Sequence, residues 1–450
     1  MEDTGPDRHP RDRLRRELSL TDATLLCVAS VIGSGIFLTP GEIAERVPHP
    51  GGILAVWIFG AALSLAGALA NAELGAMFPH AGGDYVYLRE AFHPGAGFLV
   101  GWLSFFVIYT GTIATLAAGF ADALHPFLAL GAGTKLALAV GLTLAASALN
   151  YRGVRVSAVF NNVTTGGKVL ALLVFAVGAP LLGRGEASHL RPLVEGLSEV
   201  PWSGFGLALS PVLFSYLGWN SAVYVASEIH DPERNVPRSL FLGLLICGVV
   251  YLLVNAAYLY AVPVQAMRQQ GNVGSAAAHV LFGAAGGTAI GLFVLASILG
   301  TLNATILVGP RIAYAMALDG LFFGGVDRVH DVHRTPHVAI VVQGGVSIAI
   351  LLLLRSFPRI LDFTTFAIVL ATIADTLALY ALRRKRPGRR RPYRAWGYPW
   401  VPALYLLANA AIAVALLWGK PSECGVCLLV AAAGLPFYFF FARRVRRSGV

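Results

Sequence analysis

Few residues in this 450-residue chain could do chemistry, and most of them stand in apolar surroundings. Lys168 lies inside NNVTTGGKVLALLVFAV, a run with no other charge. Gly33-Ser34-Gly35 interrupts LLCVASVIGSGIFLTPGEIAERV, and Gly218 with Asn220 and Ser221 interrupts LSPVLFSYLGWNSAVYVASEI. A buried lysine offers an amine that must find acceptors. A glycine break in an apolar helix offers free backbone N–H and C=O groups. Catalysis would need a nucleophile–base pair or a metal cluster, and the apolar segments contain no His/Asp/Glu grouping of that kind. No enzyme, cofactor or metal is therefore expected. Cys27, Cys247, Cys424 and Cys427 form no disulfide framework, and the lone Cys424/Cys427 CxxC has no further ligands near it.

The segments that must position these residues are membrane spans. The chain is 56% hydrophobic and only 13% charged, with a mean hydropathy of +0.68. A soluble domain carries about 25% charge, so a soluble enzyme, a nucleic-acid binder and a disordered scaffold are excluded. A helix needs about 20 apolar residues to cross a bilayer. Apolar windows predict twelve spans, near 21–47, 51–77, 95–120, 134–150, 156–182, 204–229, 239–262, 286–316, 338–354, 360–382, 400–418 and 424–442. They are too long and continuous for barrel strands. The expected class is an all-α polytopic membrane protein. Residues 1–19 are polar and Arg-rich, and no cleavable signal is expected.

Lys and Arg are distributed unequally about these spans. Of the 34, an inside N-terminus places 25 on its own side and 8 on the other, with Lys168 within span 5. By the positive-inside rule both termini are expected in the cytoplasm of a cell-membrane protein. The run Arg383 to Arg394 then reads as a solvated cytoplasmic loop rather than a nucleic-acid site.

The breaks fall in the first and the sixth span. Five spans run from 1 to 5 and five from 6 to 10. Matching breaks in two halves point to an inverted-repeat transporter, although either glycine alone reads equally well as a packing contact. Accordingly 1–19 is expected as a tail, 20–183 as one five-helix repeat, 184–203 as an outer loop and 204–383 as the second repeat. A basic loop at 384–399, two further spans over 400–442 and a tail at 443–450 follow. The N–H groups of Ser34, Gly35 and Ile36 after the first break suit a carboxylate. The carbonyls of Val31 and Ile32 before it, joined by Phe214 and Leu217, suit an ammonium. A zwitterionic α-amino acid fits that polarity.

Lys168 lies at the depth of Ser34, Leu217 and Thr301. A lysine there costs about 2.5–3.5 kcal/mol on insertion scales. It is expected to bond Thr301 or Thr305, four apart on one face of span 8, and freed carbonyls of span 1. Its ammonium would stand in for a sodium ion, so transport without sodium is expected. The lysine either titrates during the cycle or only ties spans 1, 5 and 8 together. Asp375 and Glu73 are expected in gate or anchor ion pairs. Glu228, His230, Asp231 and Glu233, in a connector with helix-stop prolines, are expected to orient the 6–7 loop.

The motifs VIGSGIFLTPG, AELGAMFPHAGGDYVYLREAFHPGAGFLVGW, FSYLGWNSAVYVASEIHDPERNVPRSL, GPRIAYAMALDG and RPYRAWGYPWVP together resemble the amino acid–polyamine–cation transporter superfamily, over residues 17–442. NNVTTGGK with FSYLGWN is most similar to its L-type amino acid transporter family. The resemblance implies a leucine-transporter-type fold, a 5+5 inverted repeat plus two C-terminal helices. It also implies L-amino acid uptake or exchange by alternating access. By resemblance Ser34 and Gly35 would bind the α-carboxylate, and carbonyls of Val31, Phe214 and Leu217 the α-ammonium. Phe214 would be the aromatic lid, Asn220 a polar neighbour, and Lys168 the replacement for a sodium site. The chain departs from that family twice. The 3–4 loop near 121–134 lacks the cysteine with which eukaryotic members bond a heavy chain, so a stand-alone prokaryotic member is expected. Leu217 stands where many members carry glycine. Tyr109 and Thr110 are further candidates in span 3.

Four other readings are open. A cationic amino acid or polyamine antiporter of the same fold needs an acid beside the substrate side chain, and a proton-coupled symporter needs a titrating group. A membrane amino acid sensor would bind without transporting, though the tails are only about 20 and 8 residues long. A membrane transferase would need paired aspartates at a lipid-accessible site; Asp327 and Asp331 have the spacing but lie among loop charges.

Overall fold

Apolar helices of this length form because a lipid-exposed backbone must satisfy its own hydrogen bonds. In the computed structural model residues 12–124, 127–196, 198, 200, 202–354 and 357–448 are described. Arg8, Arg11 and Arg355 of the charge count, with residues 1–11 and 449–450 of the two tails, lie outside the described residues. Span 1 is α1 (Leu20–Val31) and α2 (Gly35–Arg46); span 2 is α3 (Pro50–Met77). A short α4 (Asp84–Ala91) leads to span 3, which is α5 (Pro94–Leu103), a π-helical turn (Ser104–Tyr109) and α6 (Thr110–Leu124). Spans 4 and 5 are α7 (Ala132–Tyr151) and α8 (Val154–Leu182). Span 6 is α9 (Trp202–Tyr216) and the single turn α10 (Ser221–Tyr224). Span 7 is α11 (Pro232–Ala261), followed by α12 (Val264–Met267); span 8 is α13 (Val273–Val308) with α14 (Pro310–Leu318). Spans 9 to 12 are α15 (His337–Leu354), α16 (Phe357–Lys385), α17 (Trp400–Gly419) and α18 (Pro421–Ser448).

Among the described residues nine helices are long and apolar enough to cross a membrane, and the bent pair α1/α2 makes a tenth. The shorter apolar helices of spans 6 and 9 complete the twelve expected segments. The protein is an all-α polytopic membrane protein; its only extended contacts among the described residues are two isolated bridges. Polarity is arranged for lipid. Val163 is 70% exposed and Leu181 73%, whereas Lys168 on the same helix is 2% exposed. Apolar side chains outside and a lysine inside are the reverse of a soluble bundle.

Local chemistry sets the helix ends. Ser19 and Asp22 form a reciprocal capping box on α1. His49 accepts from Gly52 N at the start of α3 (3.1 Å), and Asn272 from Ser275 N at the start of α13 (2.9 Å). Span 8 carries an additional helical segment ahead of its predicted start at 286. That segment begins at Val273, and Gly283, non-helical at φ +73°, separates it from the span proper, which begins close to 286. The π turn in span 3 was not foreseen either, because an extra residue in a turn leaves no mark in an apolar run.

The end that carries the described N-terminal residues is closed by charge. Glu228 is fully buried and holds Arg311 through both oxygens (2.7 and 3.0 Å). Its carbonyl accepts from Glu17 N and Leu18 N, each at 2.9 Å. Glu73, also fully buried, binds Arg383 (2.5 Å), Arg391 (3.1 Å) and Ala395 N (2.7 Å), which anchors the basic loop beneath span 2. Glu233 meets Arg390 at 3.1 Å. The expected anchor role for Glu73 and the connector role for Glu228 and Glu233 describe these contacts.

Candidate substrate site

The two broken spans lean on each other at their breaks. α1 ends at Val31; Ile32, Gly33 and Ser34 bridge the gap, and α2 leaves at 47° to α1. In span 6 the chain turns at Gly218 with φ +97°, a conformation that disfavours any residue with a side chain. A Cβ at Gly218 would lie 2.8 Å from the Ser30 carbonyl oxygen, and one at Gly35 would lie 3.0 Å from the Ser215 Cα. The glycines thus serve the close approach of two backbones. Hydroxyls stitch the contact: Ser221 Oγ donates to Ser30 Oγ (2.7 Å), and Thr39 and Ser215 share a bond at 3.1 Å. Span 6 differs from expectation beyond its break. No long half-helix follows, only the four residues of α10 and a 3₁₀ turn.

An account of the backbone groups at the breaks revises the expected acceptors. In α2 the first N–H groups to reach a carbonyl are those of Phe37 and Leu38, both on Ser34 O (3.1 and 3.2 Å). The N–H groups of Ser34, Gly35 and Ile36 donate to no carbonyl among the described residues. That is a helix N-terminus with its donors open. On the acceptor side, Val31 O already takes Gly33 N (2.8 Å) and Tyr251 Oη (2.9 Å). Ile32 O takes Lys168 Nζ and Ser297 Oγ, each at 3.1 Å. Neither carbonyl is open to an ammonium, contrary to expectation. Phe214 O accepts from Leu217 N at 3.2 Å, whereas Leu217 O accepts nothing among the described residues. Leu217 O is therefore an open acceptor on span 6, and on span 1 the carbonyls of Ser30 and Gly33 likewise take no donor among the described residues. Tyr251 of α11 was missed from the sequence; its hydroxyl also reaches Ser215 O at 3.1 Å and so touches the last turns of both broken helices.

Lys168 is buried where spans 1, 5 and 8 meet. Its amine donates to Thr301 Oγ1 (2.9 Å) and to Ile32 O (3.1 Å), and Thr301 Oγ1 reaches Ala29 O (2.9 Å). Thr305 does not join it; its hydroxyl turns back to Thr301 O (2.8 Å), as helical threonines do. Gly300 leaves the lysine room, since a Cβ there would sit 3.0 Å from Lys168 Cε.

Beside the breaks lies a cavity of about 170 Å³. That is below the ~300–1,000 Å³ of drug-sized pockets and suits a small molecule. Val31, Gly33, Ser34, Gly35, Phe214, Leu217, Asn220, Thr301 and Thr305 line it, as does Tyr109. Ile32 and Ile36 are not among the lining residues; both are fully buried. Thr110 is not either, because its hydroxyl bonds Phe106 O (2.8 Å); Thr112 and Thr115 line the wall instead. Sequence reasoning missed Ser30, Asp84, Tyr224 and the span-10 residues Thr364, Thr365 and Thr372. An isolated hydroxyl in an apolar helix carries no directional signal, so nothing in the sequence pointed to them. Asp375 contradicts its expected ion pair. It is fully buried, and no cation pairs with it among the described residues. Among those residues no His/Cys/Asp/Glu group is fit to hold a metal ion, and all four cysteines are buried.

The site thus opposes open backbone donors to open backbone acceptors across a small, hydroxyl-lined hollow. Comparison with known proteins is consistent with that polarity. The serine/threonine exchanger SteT of Bacillus subtilis is 30% identical over 441 residues, 97% of this chain and 99% of that protein. The human large neutral amino acids transporter small subunit 2 is 30% identical over 95% of this chain and 80% of its own length. The Asc-type amino acid transporter 1 of Mus musculus is 29% identical over 95% and 82%. Residues 18–426 match the amino acid permease family, and the chain belongs to that family.

Proposed function

We propose that this protein carries small neutral L-amino acids across the cell membrane by alternating access, as a sodium-independent exchanger. The observation that carries the reading is the pair of unclaimed backbone sets. The N–H groups of Ser34, Gly35 and Ile36 receive the carboxylate, and the Leu217 carbonyl, with Phe214 beside it, receives the ammonium. Phe214 acts as the lid and Asn220 as a polar neighbour. The hydroxyl lining and the small volume favour short side chains, in keeping with relatives named for serine/threonine exchange and for neutral amino acids. Lys168 supports sodium independence, since its ammonium already ties together the carbonyl and hydroxyl groups that a cation between spans 1, 5 and 8 would need. The excess of 25 over 8 basic residues supports cytoplasmic termini. Burial of all four cysteines supports a member without a disulfide-linked heavy chain.

The test is radiolabelled L-amino acid uptake into proteoliposomes, with internal amino acid present or absent and sodium varied. The reading expects uptake that requires internal substrate and is the same in sodium and choline. Uptake that requires sodium would overturn the ion-substitute role of Lys168. Uptake into empty vesicles that is driven by an inward pH gradient would replace exchange with symport.

A further inference from the structure

Two buried aspartates stand outside the machinery described so far. Asp84 opens α4 and lines the substrate cavity; Asp375 lies in α16. They are 1% and 0% exposed, and their carboxyl groups lie within hydrogen-bonding reach of each other. Tyr224 of α10 donates to Asp84 Oδ2 at 2.5 Å. Drawn as two carboxylates, the arrangement fails. Asp84 Oδ1 and both oxygens of Asp375 then make no well-formed hydrogen bond among the described residues, and the Asn71 amide is the one side-chain donor that acts on Asp375. No lysine, arginine or histidine acts on either. The groups that face them are Tyr87 of α4, Tyr109 of the π turn, Tyr224 of α10, Tyr405 of α17 and the Asn71 amide of α3. All of these are neutral in their ordinary states. Arg383, about two turns along α16, is engaged by Glu73. Adjacent buried carboxyls without a cation cannot both ionise. A single proton between them supplies the missing donor.

We propose that Asp84 and Asp375 form a proton-binding pair whose shared proton latches α4, α10 and α16 at the wall of the substrate cavity. The proton rests on one carboxyl and donates to the other. Asp84, as a cavity residue, is its route to water. When the proton leaves, two negative charges remain side by side and the three elements separate; when it returns, they close. Tyr224 carries the latch to the break in span 6, because α10 follows that break directly. Substrate release toward the tail-bearing end and release of this proton are then one movement. The coupling rests on the transporter reading; the shared proton does not.

The experiment uses the full-length protein, wild type and Asp375→Asn, whose amide keeps a donor in place without a titrating group. Infrared spectra of the purified protein in nanodiscs report the C=O stretch of a protonated carboxylic acid, which is separate from that of carboxylates. Proteoliposome exchange of radiolabelled L-serine is measured over the same pH range. In the wild type the carboxylic acid band disappears as pH rises, and exchange falls over the same interval, approaching about tenfold per pH unit above the midpoint. In Asp375→Asn the band is absent and the exchange profile is flat across that interval. A wild type without a titrating band, or a variant that keeps the band and the pH step, overturns the pair. A titrating band that Asp375→Asn removes, in a protein that exchanges no amino acid, upholds the shared proton and overturns the transport reading instead.

Discussion

The break in span 1 and the break in span 6 begin from the same device, a glycine in an apolar helix, and end differently. Span 1 resumes as a full helix of 12 residues, α2, at 47° to α1. Its freed carbonyls are sealed from behind by Lys168, Ser297, Thr301 and Tyr251. Its open groups include the N–H groups of Ser34, Gly35 and Ile36. Span 6 resumes only as one turn and a 3₁₀ turn, and it leaves Leu217 O unclaimed. In the proposed function one break receives the carboxylate and is braced by a buried amine. The other offers the Leu217 carbonyl and leads into α10, whose Tyr224 donates to Asp84. Backbone polarity alone would make the two equivalent; the side chains behind each break separate their roles.

If the span-1 break depends on its brace, Lys168→Ala gives the largest effect. It strips Ile32 O and Thr301 Oγ1 of a charged donor, a hydrogen bond worth about 1.5–3 kcal/mol each, and leaves a void. Exchange should fall at least ~100-fold while size-exclusion elution stays monodisperse. Gly218→Ala attacks the other break. Its positive φ costs a side chain about 1–2 kcal/mol, and the new Cβ would meet the Ser30 backbone. The Tm of the purified protein should drop by several degrees, with exchange reduced ~10- to 30-fold for that strain plus the contact. Tyr251→Phe removes a single bridging hydroxyl, worth about 1 kcal/mol; exchange should fall roughly fivefold with little change in Tm. Leu217→Gly is the gentlest. It keeps the acceptor carbonyl and enlarges the hollow, so KM for larger neutral amino acids should improve by about tenfold relative to serine, the scale of one or two methylenes in an apolar pocket. Equal responses of the two breaks to Lys168→Ala and Tyr251→Phe would erase the distinction.

Much of this was legible in the sequence because glycine pairs and a lone lysine stand out in apolar runs. Gly33, Gly35 and Gly218 marked the breaks, and the depth shared by Lys168 and Thr301 predicted their contact. What stayed hidden depends on which groups are already bonded. Ile32 O was assigned to the substrate, but it serves the lysine. Thr305 shares a helix face with Thr301, yet its hydroxyl is taken by its own helix. Asp375 read as half of an ion pair, and its neighbour Asp84 comes from a distant connector whose place no periodicity reveals. Tyr251 is one tyrosine in an apolar helix, and only the meeting of α1, α9 and α11 gives it a task. The extra helical segment ahead of span 8 was hidden for a similar reason. Gly283 changes the chain's direction without interrupting its apolar character.

The most direct measurement is a cryo-EM map of the protein in sodium-containing buffer with L-serine bound. The account predicts the carboxylate within hydrogen-bonding distance of the Ser34 and Gly35 N–H groups and the ammonium at the Leu217 carbonyl. Lys168 Nζ should remain on Ile32 O and Thr301, with no ion density between spans 1, 5 and 8. An ammonium seated on Ile32 O, or a cation beside a displaced Lys168, would contradict it.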